Sequence, residues 1–227
     1  MKYLLIFIVT LNSLAFFAQK TTEQKLADFD ELVVQGRFTV DIEYSDEMKA
    51  VAVAHSAEVD LDNLTYSYTN KTLKIKYSGS LLDDVDLNIT IYTNNFLYLE
   101  AKQGAEIRVD DDFDFKNNPI SLKSDAGGKI LIYLSVPAVT AEITKGGSIR
   151  ISGRTELLDA TVKTGGTIGA VNLKSSNVNA KVSFGGEIIC NASKTLDAQI
   201  TSGGTISYKG EATVKEKVRL GGTIEKL

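Results

Sequence analysis

Glycine pairs punctuate the C-terminal half of this chain, in the phrases SDAGGKI, ITKGGSI, VKTGGTI, VSFGGEI, ITSGGTI and VRLGGTI. They stand at Gly127–Gly128, Gly146–Gly147, Gly165–Gly166, Gly185–Gly186, Gly203–Gly204 and Gly221–Gly222, so successive pairs start 19, 19, 20, 18 and 18 residues apart. So regular a period marks repeated supersecondary units, each stable only when stacked on its neighbours. Before each pair the apolar residues alternate: Val139, Ala141, Ile143; Leu158, Ala160, Val162; Val178, Ala180, Val182; Leu196, Ala198, Ile200. The last copy, Val214, Glu216, Val218, keeps the branched positions and replaces the alanine. Alternation resumes after each pair, as in Ile130 and Ile132 or Ile149 and Ile151. Period two in runs rich in Val, Ile and Thr is the pattern of strands with one buried face. Each unit therefore reads strand, glycine turn, strand, polar turn.

A tight turn between packed strands calls for positive φ, which glycine adopts without steric cost, and a Cβ there would hold neighbouring units apart. A phosphate-cradling role would need a following helix N-terminus, and strand pattern follows instead. Two architectures fit such a unit: rungs of a solenoid stacked about 4.8 Å apart, or a meander of hairpins closed by Gly-Gly. The recurrence of alanine at one inward position (Ala141, Ala160, Ala180, Ala198) and of isoleucine after the glycines (Ile149, Ile168, Ile188, Ile206) favours stacking. Like residues form continuous internal ladders only when rungs stack.

Residues 28–227 read as one all-β domain, with a less regular N-terminal part over 28–100 and the glycine repeats over 101–227. In the first part LVVQGRFTVDIEY alternates throughout, KAVAVAH reads as a strand, and LTYSYTNKTLKIKY reads as two strands joined at Thr69–Lys71. Gly104-Ala105-Glu106-Ile107 reads as a degenerate first repeat. The opening MKYLLIFIVTLNSLAFFAQK has a basic start, an apolar stretch and a small residue at Ala18, the pattern of a signal peptide over 1–18. Residues 19–27 read as a linker. The chain is thus expected to be exported, to the periplasm, the outer surface or the medium. Cys190 is the single cysteine, so no disulfide forms within the chain.

A formal net charge of −4 with scattered Lys and Arg argues against a nucleic-acid partner. His55 is the single histidine, at the end of a strand and without a nucleophile elbow, so no catalytic triad is expected. Cys190 sits at an inward strand position and reads as core. The runs VDDDFDF (Asp110, Asp111, Asp112, Asp114) and LLDDVDL (Asp83, Asp84, Asp86) lack the glycine placement of a calcium loop and read as solvated turns. The repeats carry no recurrent pair of facing acids such as a glycosidase uses. Tyr66, Tyr68, Tyr77, Tyr92 and Tyr98 could stack on a glycan, but tyrosine is also an ordinary strand residue. No catalytic, cofactor or metal site is expected.

The secretory start, the segments FDELVVQGRFTVDIEYSD and LDNLTYSYTNKTLKIKY, and the serial GG-x-I turns resemble the auto-transporter adhesin head domain, the GIN domain, over about residues 28–224. This resemblance implies a right-handed parallel β-helix-like solenoid of the pectin-lyase type and an exported protein. It also implies a non-enzymatic adhesion or scaffolding role. The expected partner is a cell-surface protein or a glycan, with self-association through the solenoid ends as a further expectation. The alternative is a polysaccharide-binding or polysaccharide-degrading β-helix protein.

Overall fold

The structure, a computed structural model, describes residues 20–79 and 86–227; the expected signal peptide and Asp83–Asp84 lie outside the described residues. The N-terminal strands are β1 (Lys20–Lys25), β2 (Glu31–Gln35), β3 (Thr39–Tyr44), β4 (Lys49–Ala54), β5 (Leu64–Thr69), β6 (Thr72–Tyr77) and β7 (Leu87–Thr93). They are followed by β8 (Tyr98–Lys102), β9 (Glu106–Val109), β10 (Ile120–Asp125), β11 (Lys129–Ile143), β12 (Ser148–Thr164) and β13 (Thr167–Gly169). Last come β14 (Leu173–Phe184), β15 (Glu187–Ser202), β16 (Thr205–Lys209), β17 (Thr213–Leu220) and β18 (Thr223–Lys226). Together they form a β-solenoid of about 7 turns with rungs about 19 residues apart.

Each rung has two faces. The chain runs along the first face, bends at a polar corner, returns along the second, and enters the next rung through the glycine turn. Strands β9, β13, β16 and β18 and the leading halves of β11, β12 and β15 pair in parallel on the first face. Strands β8, β10, β14 and β17 and the trailing halves of β11, β12 and β15 pair in parallel on the second. Ala141, Ala160, Ala180 and Ala198 are successive register partners. So are Ile130, Ile149, Ile168, Ile188, Ile206 and Ile224. The alanine row lies between rows of larger residues, Val139–Leu158–Val178–Leu196 and Ile143–Val162–Val182–Ile200. All of these except Ile224, in the final rung, are buried. Alternating small and large rows let the inner surfaces of the two faces fill the space between them.

The two glycines of a turn do different things. Gly165 has φ +61°, and a Cβ added there would meet nothing within 4 Å. Gly166 has φ +93°, and its Cβ would lie 2.8 Å from the Gly147 carbonyl oxygen and 2.9 Å from Ile143 Cγ2, in the rung beneath. Hydrogen bonds link the stacked turns: Gly146 N–H donates to Thr164 O at 2.9 Å, and Thr167 N–H to Gly147 O at 3.1 Å. The first glycine turns the chain, and the second lets the rungs approach closely enough to bond.

The N-terminal part departs from the sequence reading in order and continuity. The alternating run LVVQGRFTVDIEY is not one strand: β2 and β3 lie on different faces, divided at Gly36, which has φ +127°. Gln103–Gly104 serves as a turn of the same kind, with φ of +55° and +82°, and Ile107 is in register with Ile130. Stacking order also differs from chain order. Strand β2 pairs with β6 on one side and β8 on the other, and β3 likewise lies between β7 and β9. The chain thus lays down its second layer first, then the outer layer of β6 and β7, and only at β8 begins to stack in sequence. Antiparallel strands close this end: β5 against β6, β4 against β7, and β1 against β4. Residues 20–25, inside the expected linker, are strand β1. The β5–β6 hairpin turns at Asn70 and Lys71, both at positive φ (48° and 62°), as a two-residue hairpin loop requires. Lys71 is held there by ion pairs to Asp30 (3.3 Å) and Asp28 (3.5 Å).

Among the described residues the single helical piece is a short 3-10 turn, Leu61–Asn63, and no helix is long and apolar enough to cross a membrane.

Candidate functional site

One groove of this molecule lies along its corners rather than on its faces. Each rung bends between its faces at Ser135–Pro137, Arg154–Glu156, Lys174–Ser176 and Asn191–Ser193, and these segments, with Asn117, line a groove of about 710 Å³. Ser135, Arg154, Lys174, Asn191 and Lys209 form one column across the rungs: Ser135 pairs with Arg154, Arg154 with Lys174, and Asn191 with Lys209. Behind them Thr155 and Ser175 turn inward and are buried, their hydroxyls donating to Leu157 O (3.1 Å) and Leu173 O (3.4 Å). Two irregularities widen the corner. Gly153, at φ +112°, packs directly on the Leu134 carbonyl, where any Cβ would collide. The β14–β15 register shifts between Ser175 and Asn177, an irregularity of the bulge kind that re-aims side chains. Ser193 then caps Ser175 O at 3.2 Å.

Electrostatics separate this corner from the second face. On that face charges pair across rungs, Lys123 lying 3.2 Å from Glu100, Lys163 2.9 Å from Glu142 and Lys215 3.6 Å from Asp197, while Lys102 lies 3.4 Å from Glu100 along the same strand. Tyr98 lies beside this cluster, and its hydroxyl is pushed well above the usual tyrosine range by burial and then by the Glu100 carboxylate. At the corner, Arg154 stands directly opposite Lys174, and neither has an ion pair among the described residues. The Glu156 carboxylate lines the groove but lies within 4.0 Å of no basic group among the described residues.

The residues singled out from sequence divide cleanly. Glycine turns and the Ala and Ile ladders are part of the stack and do not line the corner groove. Cys190 is fully buried, and desolvation pushes its thiol up to about 12. His55 follows β4, its N–H donating to Asp86 O at 2.9 Å, whereas Cys190 is on β15 with β7, β3, β9, β11, β12 and β13 stacked between. The two are not brought together. Of the acidic runs, Asp110–Asp114 caps a turn in which Phe113 and Phe115 are buried against Phe96 (4.8 and 5.6 Å between centroids) and the Asp114 carboxylate accepts from Lys116 N–H. Among the described residues no group of three or more His, Cys, Asp or Glu is gathered to hold a metal ion. The tyrosines are scattered: Tyr66 and Tyr68 lie on the end strand β5, Tyr92 lies under Lys49 on the first face, and Tyr98 lies on the second. Sequence reasoning missed Arg154 and Lys174, because a corner column carries no fixed residue type from rung to rung.

A thiol held protonated and inaccessible should not react. Cys190 is expected to resist a disulfide-exchange reagent in native buffer and to react promptly in denaturant. Its neutral form is favoured by the fold, so the associated stability is complete below the unfolded value of 9.0 and is lost as pH rises toward about 12. Cys190→Ala should flatten the fall in urea midpoint over that window. Rapid native labelling would refute the buried assignment.

Residues 28–212 match the family described as "Putative auto-transporter adhesin, head GIN domain", and the chain belongs to it. No curated protein matches the chain. Its fold is shared with a crystal structure of "a putative adhesin" from Bacteroides fragilis NCTC 9343, at TM-score 0.79 and 19% identity over 93% of this chain and 98% of that one. A second, from Parabacteroides merdae ATCC 43184 and described in the same words, aligns at TM-score 0.69 and 18% identity over 93% and 97%. A third, a "Putative lipid binding protein" from Parabacteroides distasonis ATCC 8503, aligns at TM-score 0.71 and 18% identity over 93% and 98%. At such identity these likenesses speak for the fold.

Proposed function

We propose that this protein is an exported, non-enzymatic adhesion protein whose stacked rungs present a rigid polar surface to a cell-surface protein or glycan. Family membership in an adhesin head domain supports the adhesion role, and the secretory start supports export. The observation that carries the mechanism is the stack itself. From β8 to β16 every strand has parallel neighbours on both sides, so outward side chains are held at constant spacing over many rungs. A surface ordered before contact loses little conformational entropy on binding. The non-enzymatic reading rests on what the candidate nucleophile does: Cys190 is core, far along the stack from the single histidine.

In its native host a tagged copy is expected in the envelope or the medium, with residues 1–18 removed. Beads coated with folded protein should be retained on cell-envelope material that releases beads coated with heat-unfolded protein. Cytoplasmic retention with an intact N-terminus would overturn export, and equal retention of the two bead types would overturn adhesion by a folded surface.

A further inference from the structure

We propose that the corner groove is the ligand-binding site and that it takes the carboxylate- or sulfate-bearing sugars of an acidic polysaccharide. This rests on the adhesion reading and names its ligand. Like charges directly opposite each other on neighbouring strands destabilise a sheet. The Arg154–Lys174 pair is such a placement, one strand spacing apart (about 4.8 Å), with no ion pair to either cation among the described residues. Elsewhere on the stack the same chain places acid opposite base, as in Glu100 with Lys123. An anion between the two cations turns the repulsion into attraction. A guanidinium beside an ammonium also suits a carboxylate or sulfate, since arginine can bind it through two parallel hydrogen bonds.

Three features favour a sugar polymer over an acidic peptide or a nucleic acid. Flanking groups are hydroxyls and amides: Ser135, Ser176, Ser193, Asn117 and Asn191. Among the described residues no aromatic ring lines the groove for a base to stack upon. The groove runs across the rungs, whose backbone N–H and C=O groups are engaged in the ladders, so an incoming peptide finds no strand edge to extend. Glu156, two residues on from Arg154 in the same corner segment, opposes an anion and gives the test a change of opposite sign.

Affinity electrophoresis of the full mature chain through gels containing polygalacturonate, heparin, neutral dextran or polyglutamate reads this directly. The expected result is retardation by polygalacturonate, heparin or both, and by neither dextran nor polyglutamate. Removing both groove cations (R154A/K174A) should weaken retardation at least about tenfold, since a hydrogen bond to a charged group is worth about 1.5–3 kcal/mol and 1.4 kcal/mol is a factor of ten. K217A/R219A, which removes the same charge from the terminal rung, should leave it unchanged. E156Q should strengthen it, a gain that misfolding cannot mimic. Retardation by one polymer alone identifies carboxylate or sulfate as the group recognised. Absence of retardation by either acidic sugar polymer, equal retardation by polyglutamate, or equal loss in both double variants would overturn the proposal. In the bead assay, wild-type retention with undiminished R154A/K174A retention refutes the groove alone. No folded-state retention refutes the adhesion reading instead.

Discussion

Gly166→Ala is expected to destabilise the protein by more than about 3 kcal/mol, while Gly165→Ala, its immediate neighbour, costs only about 1–2 kcal/mol. Both residues have positive φ, so both substitutions strain an L-residue backbone. The difference is what lies beneath. At Gly165 the new methyl enters open space, and the cost is the left-handed conformation alone. At Gly166 it meets the Gly147 carbonyl oxygen and Ile143 Cγ2 in the preceding rung, at 2.8 and 2.9 Å. Relieving that contact means separating rungs, which stretches the Thr167 N–H to Gly147 O hydrogen bond and opens the buried Ile149–Ile168 contact. Urea denaturation of the two variants reads the difference as a gap in midpoints. Because a solenoid unfolds as coupled neighbours, hydrogen exchange at the flanking rungs should show the Gly166 defect spreading to both sides. Equal midpoints for the two variants would mean that rung approach is not limited at this glycine. Gly165→Asn should be milder still, since asparagine tolerates the left-handed region.

How far such distinctions could be read in advance depended on whether the chain itself repeats the cause. Ala141, Ala160, Ala180 and Ala198 repeat it four times, and their register follows directly from their spacing. The glycine pairs repeat it too, but sequence alone does not say which of the two faces the rung beneath. In the N-terminal third each layer is unique. Nothing in the alternation of LVVQGRFTVDIEY shows that its two halves lie on different faces, or that β2 sits between β6 and β8, because a period-two pattern reports burial and not the identity of the neighbour. The groove was the least legible. Its walls come from corner residues whose partners lie 19, 20 and 17 residues onward (Ser135, Arg154, Lys174, Asn191), and the last of these steps adjoins the β14–β15 irregularity.

Glu216→Ala is expected to convert a monomer into a species that associates end to end. In the last described rung β17 and β18 have parallel partners on one side only among the described residues, and Leu220 and Val218 are exposed. Such an edge templates association unless something opposes it. Glu216 occupies the alanine ladder, in register with Ala198, so its carboxylate stands where the next rung would bury it. Outward along the same strand lie Lys215, Lys217 and Arg219. Two copies joined antiparallel about a two-fold axis must keep inward residues inward. With Glu216 opposite Glu216, two carboxylates meet inside and Lys215 faces Lys217 outside. Shifted by one pair, Glu216 faces Val218, Lys217 faces itself, and Lys215 faces Arg219. Both of these registers bury Glu216 and set cation against cation. Burying an unpaired carboxylate costs several kcal/mol, so alanine should tighten end-to-end association by about a hundredfold or more. Sedimentation velocity across a concentration series decides it: the wild type should stay monomeric where Glu216→Ala shifts to dimer. Adding K217E, which removes the outer repulsion as well, should tighten association further. A wild type that dimerises at the same concentration as Glu216→Ala would show that this edge is not guarded and that self-association is part of how the protein works.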